Sequence, residues 1–427
     1  MSPLERPRTY VLHVSVGSSA DGNSRLEEAR GLAEAICLDV VGAYHVSISS
    51  PRPSTFIGKG WVERLQRELK DHEVGLLYVD AALSPVQQRN LEKVLSCKVI
   101  DRTGLILEIF GARAKTSEGR LQVRLAALNY QKSRLVKSWT HLERQKGGFG
   151  FMGGPGESQL ELDKRMLGDQ IASIQKDLDA VKKTRTVQRQ ARQRLSIPTI
   201  ALVGYTNAGK STLFNRLTQS QVFADDLLFA TLDPTVRQIK LPQGDQVVIS
   251  DTVGFISDLP TLLVAAFRAT LEEVAQADLL LHVRDITHPE TDRQAEDVYT
   301  VLKAMGLEDK IQTSLFEVWN KIDLLPPEEQ EERKLQAHNG SLPTFLVSAL
   351  SGEGCSPLLR GLGDFCARNR RVYHFAVPPE DGKAIAWLYA HGFVQSRYDT
   401  ETESRLSVVL GEREADLFLV TFAECHF

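Results

Sequence analysis

Residues 199 to 211 read TIALVGYTNAGKS: a short β-branched run, a glycine-punctuated turn and the start of a helical pattern. This stretch restricts the fold more than any other in the chain. Gly204, Gly209, Lys210 and Ser211 fit G-x-x-x-x-G-K-[ST], which works only where a buried strand feeds a tight turn that opens a helix. In such a loop the backbone N–H groups of Tyr205, Thr206, Asn207, Ala208 and Gly209 can curl around phosphate oxygens, and the helix N-terminus adds its positive end. Lys210 supplies a cation to the terminal phosphates. Ser211 offers a hydroxyl to Mg²⁺, with Thr212 beside it. A mostly parallel sheet flanked by helices is therefore expected over residues 197–372.

Three further motifs follow in order. DQVVISDTVGF puts Asp251 at a strand end, where its carboxylate can hold Mg²⁺ through water. Thr252 and Val253 follow, and then Gly254, whose N–H can meet a γ-phosphate. FEVWNKIDLL places Asn320, Lys321, Ile322 and Asp323 after another buried strand. A carboxylate there accepts two hydrogen bonds from guanine that adenine does not offer. TFLVSALSGEG supplies Ser348, Ala349 and Leu350 for backbone contact with the base. Each motif alone is weak, since DxxG is common in turns and NKxD is half charged surface. Together, each at a strand's carboxyl end, they define a guanine-nucleotide site for GTP and GDP. Between the first two runs LLFATLDPTVRQ, with Phe229, Ala230, Thr231, Leu232 and Asp233 as further candidate contacts. A threonine here should ligate Mg²⁺ and sense the γ-phosphate; Thr231 is the first choice and Thr235 the second. Lys210, Thr231 and Gly254 are the expected catalytic residues.

Two positions bear on rate. Phe255 stands where many such enzymes have a water-orienting glutamine. It reads either as a core side chain or as the mark of low intrinsic turnover. Asn207 either helps bind K⁺ or stabilises its loop.

Charge is unevenly spread. Arg113 to Arg194 holds 18 Lys and Arg against 8 Asp and Glu, so this segment is +10 while the whole chain is −4, leaving −14 for the rest. A basic segment on an acidic protein points to a polyanion. Leu121, Leu128, Leu135 and Leu142 fall seven apart, and so do Leu160, Leu167, Ile174 and Val181, with Leu125, Trp139, Ile171 and Leu178 interleaved. Two such segments form an antiparallel helical hairpin reaching roughly 40 to 50 Å. Between them lies GGFGFMGGPG, residues 147–156. It is either a plain connector or a contact surface. An antiparallel pair needs only a few linking residues, which favours a surface. Gly147, Gly148, Phe149, Gly150, Phe151, Met152, Gly153 and Gly154 are then the RNA-binding candidates, with backbone donors for phosphates and rings for unstacked bases.

Upstream, strand and helix patterns alternate from residue 1 to 115, which predicts a small α/β domain with a partly parallel sheet. FIGKG reads as a turn before a helix. Arg89, Asn90 and Arg102 are either RNA contacts or structural, with structure favoured. The hairpin is assigned to 116–196 and a small α+β domain, carrying no readable motif, to 373–427. Five scattered cysteines without a CxxC pair fit reduced thiols in a cytoplasmic protein. No apolar run approaches the roughly 20 residues of a membrane span.

These residues together resemble the HflX family of GTPases. The resemblance rests on FIGKG, LSPVQQRNLEK, VIDRTGLILEIF, GGPGESQLELDKR and GYTNAGKSTLFN, with FATLDPT, DTVGFI and NKID. It implies binding of the large ribosomal subunit and splitting of stalled or idle ribosomes under stress. It also implies a tip directed at rRNA near the peptidyl-transferase centre, and hydrolysis accelerated by the large subunit. No DNA partner, no membrane insertion and a monomer are expected, partly ribosome-associated in the cytoplasm. This chain departs from the family at Met152, where arginine is usual in the tip, and at Arg124, where an acidic residue is usual. A ribosome-assembly GTPase and a GTP-timed regulator gripping a protein partner are the alternatives.

Overall fold

The computed structural model describes residues 6–17, 22–145, 155–194, 197–219, 228–229, 235–257, 268–368, 370–400, 402–422 and 425. Its first sheet contains β1 (Arg8–Val16), β2 (Asp39–Ile48), β3 (Leu76–Asp80) and β4 (Lys98–Asp101) in the order β2-β1-β3-β4. All three pairings are parallel, so the expected partly parallel sheet is parallel throughout. The cause is the crossovers: α1 (Gly22–Glu34), α2 (Lys59–Asp71) and α3 (Pro85–Leu95) each return the chain to the end it left. α2 buries Val62, Leu65 and Leu69, an i, i+3, i+7 stripe facing the sheet. Burying each leucine contributes about 1.5–3 kcal/mol. Its start follows Gly58, so FIGKG is the turn that its spacing indicated. Ser84 and Gln87 close a capping box on α3, with Pro85 in its first turn.

α4 (Arg102–Arg113) leads into the hairpin, α5 (Ser117–Gln145) and α6 (Pro155–Arg194). Leu128, Ile171, Ile174 and Leu178 are buried together, with Leu121, Leu125 and Leu167 packed against them. The seam forms over residues 121–128 and 167–178; the side chains of Trp139, Leu142 and Leu160 lie outside the described residues. At 1.5 Å per residue α6 is about 60 Å long, because the helix continues beyond Val181 to Arg194. The hairpin's base is fixed to the first domain. Val123 and Ala126 enter the core of Ile106, Ile109 and Phe110. Tyr130 Oη and Arg134 Nη1 donate to Asp101 at 2.7 and 3.2 Å. The tip candidates, 147–154, lie outside the described residues.

The second sheet holds β5 (Thr199–Val203), β6 (Thr235–Lys240), β7 (Gln246–Asp251), β8 (Leu279–Asp285), β9 (Leu315–Asn320) and β10 (Thr344–Leu346), in the order β10-β9-β8-β5-β7-β6. β6 is antiparallel to β7 and the other pairings are parallel. The third sheet is antiparallel: β11 (Arg370–Val377), β12 (Phe393–Asp399) and β13 (Ser404–Gly411), in the order β11-β13-β12. Helices Gly382–His391 and Glu412–Thr421 close its core of Phe375, Leu388, Leu406 and Phe418. β11 begins at Arg370, so a boundary between 372 and 373 would cut this strand. Among the described residues no helix is long and apolar enough to cross a membrane.

Candidate nucleotide site

β5 is buried from Ile200 to Val203 and delivers the chain into the glycine loop at Gly204. A Cβ on Gly204 would lie 2.2 Å from the Val283 carbonyl oxygen, so only glycine fits against β8. Gly209, at φ 89°, opens α7 (Lys210–Thr218). Leu213, Phe214 and Leu217 anchor this helix in the core, so its N-terminus points at a fixed place.

Lys210 is buried, and its Nζ donates to the Tyr205 carbonyl at 2.7 Å. Burial pulls its pKa down to about 8, against the opposing pull of Asp251. Ser211 Oγ donates to Asp251 Oδ2 at 2.7 Å. The two oxygen donors expected for Mg²⁺ thus stand side by side, and hard oxygen ligands suit that ion. Among the described residues Thr206 Oγ1 is buried with no hydrogen-bond partner, an orphaned polar atom on the same loop. A Cβ on Gly254 would meet Thr206 Cα at 2.8 Å and Lys210 Nζ at 3.0 Å. Glycine alone lets this backbone approach where a terminal phosphate would sit. Thr212 follows on α7, half-buried. Asn207 holds a left-handed φ of 59°, which asparagine tolerates better than most residues. A cavity of about 270 Å³ opens beside Tyr205, Thr206 and Asn207, lined also by Glu28, Asp285 and His288.

The base end is joined to this loop by one side chain. Asn320 is buried; its Nδ2 donates to the Ala208 carbonyl at 2.9 Å and its Oδ1 accepts from Ala349 N at 2.9 Å. It therefore ties together three motifs that are far apart in sequence. Lys321, at φ 66°, pairs with Asp285 at 2.7 Å. Ile322 is buried against Trp319 and Ile286, which leaves Asp323 exposed on the adjoining turn. Ser348 is buried and accepts from Ser351 N at 3.0 Å. Arg216 donates to the carbonyls of Ala349 and Leu350, with the Leu350 side chain exposed.

Some expected contacts are used differently. Phe229 is buried edge-to-face on Phe110 at 4.9 Å, in the core of the first domain. Val253 belongs to the same core, because both are apolar side chains at the junction of two domains. Thr252 Oγ1 donates to the Leu202 carbonyl at 2.5 Å. Tyr205 turns its hydroxyl to Glu28 and Ser257. The side chains of Phe229, Val253, Thr252, Tyr205 and Ile322 are thus committed to protein, which leaves their backbones for a nucleotide. Phe255 is core, packed with Val203, Val274 and Leu280. Ala230, Thr231, Leu232 and Asp233 lie outside the described residues. Arg216 and Asp285 are supports that sequence reading missed, and no local pattern marks either one.

The glycine loop, the paired Ser211 and Asp251, and the Asn320 tie on one mostly parallel sheet define a P-loop GTPase. Three family models match along the chain: "GTP-binding GTPase N-terminal" over residues 23–111, "GTP-binding GTPase Middle Region" over 113–192 and "50S ribosome-binding GTPase" over 199–321. GTPase HflX of Magnetococcus marinus is 49% identical over 385 residues, 90% of this chain and 88% of that protein. GTPase HflX of Escherichia coli is 43% identical over 380 residues, covering 89% and 88%. A GTP-binding protein from Sulfolobus solfataricus, solved with GDP, is 24% identical with a TM-score of 0.45, covering 84% of this chain and 99% of that one. The chain belongs to the HflX family of GTPases: it binds guanine nucleotides and hydrolyses GTP.

Proposed function

We propose that this GTPase binds the large ribosomal subunit and splits stalled or idle 70S ribosomes, acting as a cytoplasmic monomer. The observation that carries the reading is the +10 segment folded as a two-helix hairpin and fixed at its base to the domain that touches the nucleotide site. The match of residues 199–321 to a "50S ribosome-binding GTPase" model supports it. Residues 147–154 are then directed at rRNA near the peptidyl-transferase centre, and no DNA is engaged. The alternatives in the same fold are a ribosome-assembly GTPase and a regulator gripping a protein.

In this reading the loop 204–209 and Lys210 cradle the phosphates and Gly254 N–H meets the γ-phosphate. Asp323 takes two hydrogen bonds from guanine, with Ser348, Ala349 and Leu350 at its other edge. Ser211, Thr231 and, through water, Asp251 would hold Mg²⁺, which would supply positive charge against the phosphates. K⁺ near Asn207 would add charge on the same side, next to the carboxylates of the adjoining cavity. With Phe255 packed in the core, no side chain at that position orients water. Intrinsic turnover is then low and the large subunit raises it.

Light scattering on purified 70S ribosomes tests the reading. Splitting predicts a fall in particle mass with GTP or a non-hydrolysable analogue; unchanged mass with retained large-subunit binding favours the assembly reading. Binding that survives RNase treatment favours a protein partner. For the base site, Asp323→Asn should weaken GTP binding by about 10- to 100-fold and restore it for xanthosine triphosphate. Unchanged GTP affinity would remove Asp323 from that role.

A further inference from the structure

One buried arginine of the first domain reaches into the hydrolytic segment of the second. Arg102, at the start of α4, places Nη1 on Asp80 Oδ1 at 2.6 Å and Nη2 on Glu28 Oε1 at 2.5 Å. Nη2 also donates to the carbonyl of Ser257 at 2.8 Å, 155 residues further along the chain. Two carboxylates already neutralise this guanidinium, so the Ser257 bond is not needed to offset its burial. It joins two domains.

Ser257 lies three residues beyond Gly254 and is held from other sides as well. Its N donates to Tyr205 Oη at 2.8 Å, and its Oγ donates to Asp297 Oδ2 at 3.0 Å. Tyr205 Oη donates in turn to Glu28. Burial, followed by the charge of Glu28, raises the tyrosine's pKa, so the phenol remains a donor. The bonds close a ring: Arg102, Glu28, Tyr205, Ser257 and back to Arg102. The backbone repeats the link, with Thr206 N on the Phe255 carbonyl at 2.7 Å and Phe255 N on the Gly204 carbonyl at 3.0 Å. Gly254 therefore sits between Asp251 and a stretch pinned at both 255 and 257.

We propose that Arg102 and Glu28 are positioning residues for GTP hydrolysis: by fixing Ser257 and Tyr205 they hold the Gly254 N–H where the γ-phosphate is met. Donors that are already in place when charge develops need no reorganisation, and that is where a brace lowers a barrier. Both act through Tyr205 and Ser257. Their effect falls on the hydrolytic step and spares GDP binding, which does not use Gly254. The ribosome has no part in this, so intrinsic activity is the readout.

The test compares intrinsic kcat and GDP affinity of the intact chain for Tyr205→Phe, Arg102→Gln and the double variant. Each single change should lower kcat roughly tenfold with GDP affinity held within about twofold, because the Gly254 donor loses the preorganisation that favours developing charge. The double variant should fall no further than the singles, since both break one ring. Arg102→Lys, which keeps the charge but not the fork, should recover part of the loss. If Arg102→Gln does not fold, Glu28→Gln replaces it in the cycle, and Tyr205→Phe removes only a hydroxyl. A kcat at or above the parent value in Tyr205→Phe overturns the proposal, as do single effects that multiply in the double variant.

Discussion

At the carboxyl end of β3 the Asp80 carboxylate is surrounded by donors, while at the carboxyl end of β7 Asp251 faces a loop built around glycines. β3 pairs in parallel with β1 and β4, and β7 in parallel with β5; beside such pairings ligands settle at the carboxyl ends. Asp80 accepts from His13 Nδ1 at 2.8 Å, Tyr78 Oη at 2.6 Å and Arg102 Nη1 at 2.6 Å. Burial alone would raise its pKa, but Arg102 and these hydrogen bonds outweigh it and leave the group at about 2. Around Asp251 the neighbours are Ser211 and Lys210, and Gly254 brings no side chain against Lys210 Nζ and Thr206. One end of a sheet has been closed by protein charge and turned into a brace. The other has been kept open with backbone donors and turned into a phosphate cradle. Topology makes a site available, and the filling decides whether anything can enter.

The first way to break this contrast is Lys210→Ala. If the cradle depends on the buried Lys210 cation, nucleotide binding should fall by at least about 100-fold, the cost of leaving a buried anion without its partner, while the fold persists. Titration with fluorescent GDP reads it. Retained affinity would make the cradle a backbone site alone.

The second is Asp80→Asn, which leaves Arg102 with one carboxylate in place of two. A buried pair broken on one side costs about 3–5 kcal/mol, so the first domain's unfolding should move to clearly lower temperature in calorimetry. GDP affinity of the folded chain should stay within about twofold, since Asp80 is a brace and no ligand. A large loss of affinity with unchanged stability would reverse the two roles.

The cradle was legible in sequence because its chemistry is contiguous. Gly204 to Ser211 is one turn, and NKID is another. Their backbone requirements show in residue type: glycine where β8 presses close, and asparagine where two loops are joined. The brace was not legible, because its parts are scattered. Tyr205 meets Glu28 across 177 residues and Arg102 meets Ser257 across 155, and no local pattern announces either meeting. Arg102 was read as structural, and it is buried and paired; that it also reaches the second domain required the fold. Phe229 shows the opposite case. It stands in a segment expected to touch nucleotide, yet its ring found a hydrophobic partner in Phe110. An aromatic ring follows buried area before it follows a motif's register. The heptads of α5 and α6 were legible for the same reason as the glycine loop, a short repeat that specifies its own partner.

The smallest predicted effect sharpens the contrast by pH. In the nucleotide-free protein Lys210 titrates at about 8, because burial disfavours its charge. Bound phosphates favour the ammonium and raise that value, so binding takes up a proton wherever the free protein has lost one. Below about pH 8 the lysine is already charged and affinity should not change with pH. Above it, affinity falls as pH rises, by roughly tenfold from pH 7 to pH 9. Asp80, held at about 2, stays ionised over this whole range and adds no slope. Lys210→Arg is the control: a guanidinium keeps its charge, so whatever affinity it retains should be flat while the ligand's own titration is unchanged. Equal slopes in the two proteins would trace the effect to the nucleotide and remove Lys210 as its source.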